Sequence, residues 1–230
     1  MPLLGKGAMI TWHDVLPEAE QDHDEWHSKE HMAERLGVPG FRRGYRFSAL
    51  QGAPRYLIMY EVDDLTTLTS PSYLERLNDP TPWTRRVQAS VRNSSRTLCR
   101  VVASFGKGVP GVVVTLQLAP KAGQEQQLRR HLVDVALPQL AERPGVLGAH
   151  LLEGDPEASR RPTEEKRLRG TPDRIAAWII LLGGYDPDAL ASTRDDALSP
   201  AALRRHGASE AQTQGLYRLQ HCLTRADVDR

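Results

Sequence analysis

Cysteine is nearly absent from this chain: Cys99 and Cys222 are the only two among 230 residues. Neither has a CxxC partner or a metal-type neighbour and no CxxCH haem attachment occurs, while a Cys99–Cys222 disulfide stays open at this point. Both sit in apolar, strand-like runs and read as buried thiols in a reducing compartment. Long apolar runs are missing too. None approaches the ~20 residues that span a bilayer, and the opening MPLLGKGAMITWHDV is too short and polar for a signal peptide. An excess of one charge is also missing. With 30 Lys and Arg against 29 Asp and Glu, the net charge is +1, which argues against nucleic acid or an acidic membrane as partner. No GxGxxG, Walker or GxSxG motif occurs, which weighs against dinucleotide, nucleotide and α/β-hydrolase chemistry. The expectation is a soluble, cytoplasmic protein.

What is present is periodicity. Ala8 to Leu16 alternates apolar and polar residues as a strand does, and Pro17 ends it. Residues 17–36 read as a helix, with Glu18, Glu20, Asp22 and Asp24 crowding its positive end and Gly37 as terminator. Pro39-Gly40 turns the chain into a second strand, Phe41 to Leu50, and Tyr56 to Val62 is a third. A helix over 65–77, interrupted at Ser70-Pro71, and a strand from Arg96 to Ser104 complete a β-α-β-β-α-β order, the ferredoxin-like unit. The order then repeats: strand 112–118, helix 124–142, turn Pro144-Gly145, strands 146–152 and 174–182, helical pieces over 186–206, strand 216–224. The two Pro-Gly turns lie 105 residues apart, which with the shared order points to an internal repeat. Units are expected at 1–106 and 107–230. The second is degenerate and carries a charged, apolar-poor segment at 153–173. That segment reads as a mobile solvated loop, the sharper reading being a lid over a pocket.

The pattern Trp26-His27, Glu30-His31-Met32, Glu34-Arg35-Leu36 and Val38-Pro39-Gly40-Phe41 resembles the dimeric α/β-barrel superfamily, closest to its EthD-like and related bacterial branches. Asn78 to Trp83 adds to the resemblance, which covers Ile10 to Val87 best. It implies an α+β fold in which two tandem ferredoxin-like units pair their antiparallel sheets into a barrel-type pseudo-dimer, with a homodimer compatible. The superfamily holds isomerases, cyclases, cofactor-independent monooxygenases, heme-dependent enzymes and proteins of no known activity. Fold is therefore implied more firmly than reaction.

Candidate chemistry concentrates in the first half. His23, His27 and His31 are spaced i, i+4, i+8 and drift about 40° per step at about 3.6 residues per turn. As a triplet they are an alternative metal set; otherwise His23 and His27 read as solvated. His31 belongs to the Glu-His-Met segment and suits proton transfer near neutral pH. His13 and Tyr60 are its candidate partners. On the first strand, Thr11 and His13 share one face and Ile10 and Trp12 the other, and sequence leaves open which face lines a pocket. Arg35, Arg43, Tyr45 and Trp83 are candidate substrate-binding residues, arginine for its bidentate grip on a carboxylate or enolate. The expected function is a proton-transfer enzyme (isomerase, cyclase or lyase) that needs no cofactor and acts on a small oxygenated, anionic molecule. The alternatives are a non-catalytic binding or oligomerisation protein, and a heme-, metal- or oxygen-using member of the same superfamily.

Overall fold

The computed structural model describes residues 3–209 and 212–228. Eight strands run β1 (Gly7–Val15), β2 (Phe41–Gln51), β3 (Tyr56–Val62), β4 (Val91–Gly106), β5 (Val112–Leu118), β6 (Val146–Gly154), β7 (Trp178–Gly184) and β8 (Thr213–Thr224). They close into an antiparallel barrel in the order β1-β3-β2-β8-β5-β7-β6-β4. Each half contributes four strands in the ferredoxin-like order, and two equivalent seams, β2 on β8 and β4 on β6, join them. The tandem ferredoxin-like barrel expected from the sequence is the fold observed.

The strands are apolar on both faces because both faces are covered. Every residue of β3 is buried: Leu57 and Met59 point into the barrel with Ile10, Trp12, Tyr45 and Phe47, while Ile58 and Tyr60 pack under the first-half helices. A third apolar cluster lies under the second-half helices. The Pro-Gly turns recur for a steric reason. Gly40 and Gly145 both sit at positive φ, +90° and +84°, and a Cβ on either would press into Thr67 or Ala189 of the following helical segment.

Both long helices carry a π-helical turn at the corresponding place, His27–His31 in residues 17–36 and His131–Ala136 in residues 125–141. A π turn holds more residues than an α turn, so it winds back the drift that an i, i+4 series otherwise accumulates. The three histidines therefore stay on the buried face. His23, His27 and His31 are 0%, 1% and 8% exposed, which corrects the expectation of solvated His23 and His27.

Three element expectations also shift. Pro82–Gln88 is a helix rather than a loop, capped by Thr81. The third strand of the second half begins at Trp178, not Arg174. The charged segment is not a solvated loop. It forms two short helices, Pro156–Arg160 and Glu164–Arg169, and docks against the first half. Ser159 Oγ accepts from Leu98 N at 2.9 Å, Asp173 accepts from Ser94 Oγ at 2.6 Å, and Ala176 N donates to Thr97 Oγ1 at 3.0 Å. Among the described residues no helix is long and apolar enough to cross a membrane. Both cysteines are free thiols, Cys99 buried and Cys222 half-buried.

Candidate functional site

The first half encloses a cavity of about 60 Å³ between sheet and helices. Its floor is the helix-facing side of three strands: Met9, Thr11 and His13 of β1, Ile58 and Tyr60 of β3, and Ser94 and Arg96 of β4. The first long helix roofs it with Trp26, His27, His31 and Arg35. Glu165 and Arg169 of the docked segment close one side, so the lid reading of 153–173 fits its position. The open question of β1 is answered: Thr11 and His13 face the cavity, while Ile10 and Trp12 face the barrel interior.

Several polar atoms here are buried without a hydrogen-bond partner in the protein: both ring nitrogens of His27, Nδ1 of His31, Oη of Tyr60 and Nη1 of Arg35. Buried polar groups ordinarily find partners, and each exception calls for an explanation. His31 lies against Trp26, ring centroids 4.1 Å apart, and its Nδ1 is 3.9 Å from a Glu34 carboxylate oxygen. His13 Nε2 meets His23 Nε2 at 3.0 Å, and His23 Nδ1 meets Asp24 Oδ1 at 3.2 Å.

Burial holds His13, His27 and His31 well below the ordinary imidazole pKa, helped for His31 by the Arg35 charge and for His13 and His27 by neighbouring imidazoles. At neutral pH these rings are uncharged and able to accept a proton. Burial likewise raises the Tyr60 phenol, which stays a hydrogen-bond donor. Burial opposes the charge on Arg35, but the Glu165 carboxylate, with Tyr73 and Glu34, outweighs it and fixes the cation. The Arg35–Glu165 pair is buried on both sides, 1% and 6% exposed.

Arg96 differs. It is 7% exposed, and its Nη2 donates to Tyr73 Oη at 3.0 Å. Among the described residues no carboxylate forms an ion pair with it. A buried guanidinium held by a neutral hydroxyl favours an anion beside it.

Of the residues singled out in the sequence, His13, His31, Tyr60 and Arg35 meet in this cavity. Three do not. Arg43 and Tyr45 point into the barrel interior, where both bind the fully buried Glu61, at 2.9 and 2.6 Å. Trp83 lies on the outer helix, its indole N–H on Asp22 at 2.9 Å; Trp26 supplies the aromatic wall instead. The histidine triplet is strung along the helix, successive ring centroids 5.9 and 5.7 Å apart. Among the described residues no three His, Cys, Asp or Glu side chains gather as a metal site. Sequence reasoning missed Arg96, Tyr73, Gln88, Glu165 and Arg169. Only Arg96 left a trace, as a charge on an otherwise strand-like run.

No family model matches the chain, and no curated protein matches it. Solved structures do. An anthrone oxidase-like protein superposes with a TM-score of 0.67 at 15% identity, covering 98% of this chain and 96% of that one. A provisionally assigned monooxygenase from Fusobacterium nucleatum gives 0.62 at 8% identity, covering 96% of each chain. Another from Lactobacillus acidophilus gives 0.57 at 8%, covering 95% and 96%. At these identities the likeness establishes the fold alone, a barrel of ferredoxin-like units.

Proposed function

We propose that this chain is an enzyme that moves a proton on a small oxygenated, anionic organic molecule held in the first-half cavity. The observation that carries this reading is the convergence of neutral imidazoles, an unpartnered phenol and a carboxylate-free guanidinium on one enclosed space. His13 and His31 are the proton-transfer groups. Tyr60 donates to the substrate oxygen on which charge develops, and Arg96 and Arg35 hold its anionic group. The remaining sequence readings belong to this proposal: units at 1–106 and 107–230 derived by duplication, the second degenerate, and an EthD-like branch supported by the Trp26 to Phe41 motif.

The test is hydrogen exchange. Phenolic and β-dicarbonyl carboxylates are incubated with the protein in D₂O and followed by NMR. Protein-dependent deuterium incorporation is expected, and it should fall at least about 100-fold in His31→Ala and in His13→Gln. Unchanged exchange in both folded variants would overturn the assignment. A second reading has its own support in the likeness to anthrone oxidase-like and monooxygenase structures: the deprotonated substrate then reacts with dioxygen as co-substrate. Oxygen uptake with the same compounds separates the two.

A further inference from the structure

Asp24, His23 and His13 form a hydrogen-bonded chain that runs from the protein surface into the cavity. The Asp24 side chain is 33% exposed, His23 is fully buried, and His13 lines the cavity floor. The contacts are 3.2 Å from Asp24 Oδ1 to His23 Nδ1 and 3.0 Å from His23 Nε2 to His13 Nε2. Two facing ring nitrogens at that distance share one proton, so the tautomers of the two rings are locked together. The carboxylate decides which way. Asp24 can only accept, so His23 carries its proton on Nδ1 and presents a lone pair at Nε2. His13 must then donate from Nε2. This leaves Nδ1 as the free lone pair of His13, on a ring that lines the cavity.

We propose that Asp24 and His23 are positioning residues that make His13 the base of the site and carry its proton to the surface. In the forward step a substrate C–H or O–H bond breaks, its electron pair stays on the substrate as enolate or phenolate, and the proton bonds to His13 Nδ1. The Nε2–H of His13 passes to His23 Nε2, and the Nδ1–H of His23 passes to Asp24 Oδ1. One proton leaves the cavity, and one negative charge moves from Asp24 to the substrate. Both rings end in the opposite tautomer and return when a proton travels back. The relay thus suits reactions that remove a proton and later restore one.

The surroundings fit. Tyr56 packs over both rings, centroids 5.5 Å from His13 and 4.3 Å from His23. Arg46 donates to the Asp24 carbonyl at 2.8 Å and stands 3.8 Å from its carboxylate. Burial lowers the pKa of both imidazoles, so both are neutral at rest. In the second half, 105 residues on, Leu128 and Leu118 stand where His23 and His13 stand, and the chain has no counterpart.

The catalytic part rests on the proton-transfer reading above; the tautomers do not. The experiment is long-range ¹H–¹⁵N correlation of the histidine-labelled full chain, with rings assigned from His13→Gln and His23→Gln. Expected are Nδ1–H for His23 and Nε2–H for His13. Asp24→Asn, nearly isosteric, should abolish this fixed pattern and lower deuterium exchange at least about 100-fold. Nδ1–H on His13, a doubly protonated His23, or a pattern indifferent to Asp24→Asn would overturn the proposal. If Asp24→Asn does not fold, His23→Gln takes its place, and His13 should then lose its fixed tautomer. If the tautomers are as expected but no compound exchanges even with the wild-type protein, the proton-transfer function fails, and the base and relay roles fail with it.

Discussion

The two halves share strand order, seams, Pro-Gly turns and a π-helical turn, yet differ in what they put between helix and sheet. In the second half, Leu128, Leu132 and Ala136 occupy the helix positions of His23, His27 and His31. Across the space, Met9, Thr11 and His13 pair with Tyr60, Ile58 and Tyr56, and Val114, Leu116 and Leu118 pair with Leu182, Ile180 and Trp178. One half has an apolar core where the other has a polar cavity. The lesson is energetic. The leucines show that this frame accepts a filling of hydrocarbon, so the histidines are not required by the fold. Burying unpartnered polar atoms costs about 1–3 kcal/mol each, and such a cost is retained where those groups have other work.

The comparison can be broken most strongly at the Arg35–Glu165 pair. Leu140 stands at the place of Arg35 in the second half. Glu165→Ala, which strands the buried guanidinium, should lower stability by about 3–5 kcal/mol in urea unfolding. Replacing both partners with leucine should be neutral or stabilising, by up to about 4 kcal/mol. Next comes Leu132→His, which imports a polar ring into the apolar half and should cost about 3 kcal/mol in the same assay. The mirror change, His27→Leu, removes two unpartnered nitrogens and should raise stability by about 1 kcal/mol. A stability loss there instead would show that His27 has a structural partner.

A last test lies in the pH dependence of stability. His13, His27 and His31 have folded pKa values depressed below the unfolded value by burial. The unfolded chain therefore takes up protons near pH 6.5 that the folded chain refuses. Their contribution is complete above that pH and is lost as pH falls, by about 1.4 kcal/mol per pH unit for each ring, until the folded pKa is reached. His150, half-buried and lowered to about 4 by desolvation, adds one more such group. Unfolding free energies measured from pH 7 to pH 5 should decline, and His27→Leu should shallow that slope by one ring's share.

Strand order and the Pro-Gly repeat were legible in the sequence because alternation and turn chemistry are local properties. Which face of a strand turns to the helices is not local, so Arg43 and Tyr45, expected at the site, lie on the barrel side. The buried histidines were hidden because the π turn that realigns them leaves no periodic trace. Glu165 and Arg169 were hidden because a charge-rich run looks solvated until its partners, Arg35, Gln88 and Asp173, are known. Arg96 was passed over because one charge on a strand carries no sign of burial.

Closure of the barrel by two seams has a further consequence. In an open sheet the outermost strands offer unpaired backbone groups on which another chain can build, the usual route to sheet-mediated assembly and to aggregation. Here every strand has a neighbour on both sides within the same chain. Among the described residues the closed barrel offers a second copy no open sheet edge to extend, which leaves helices and loops as its outward surfaces.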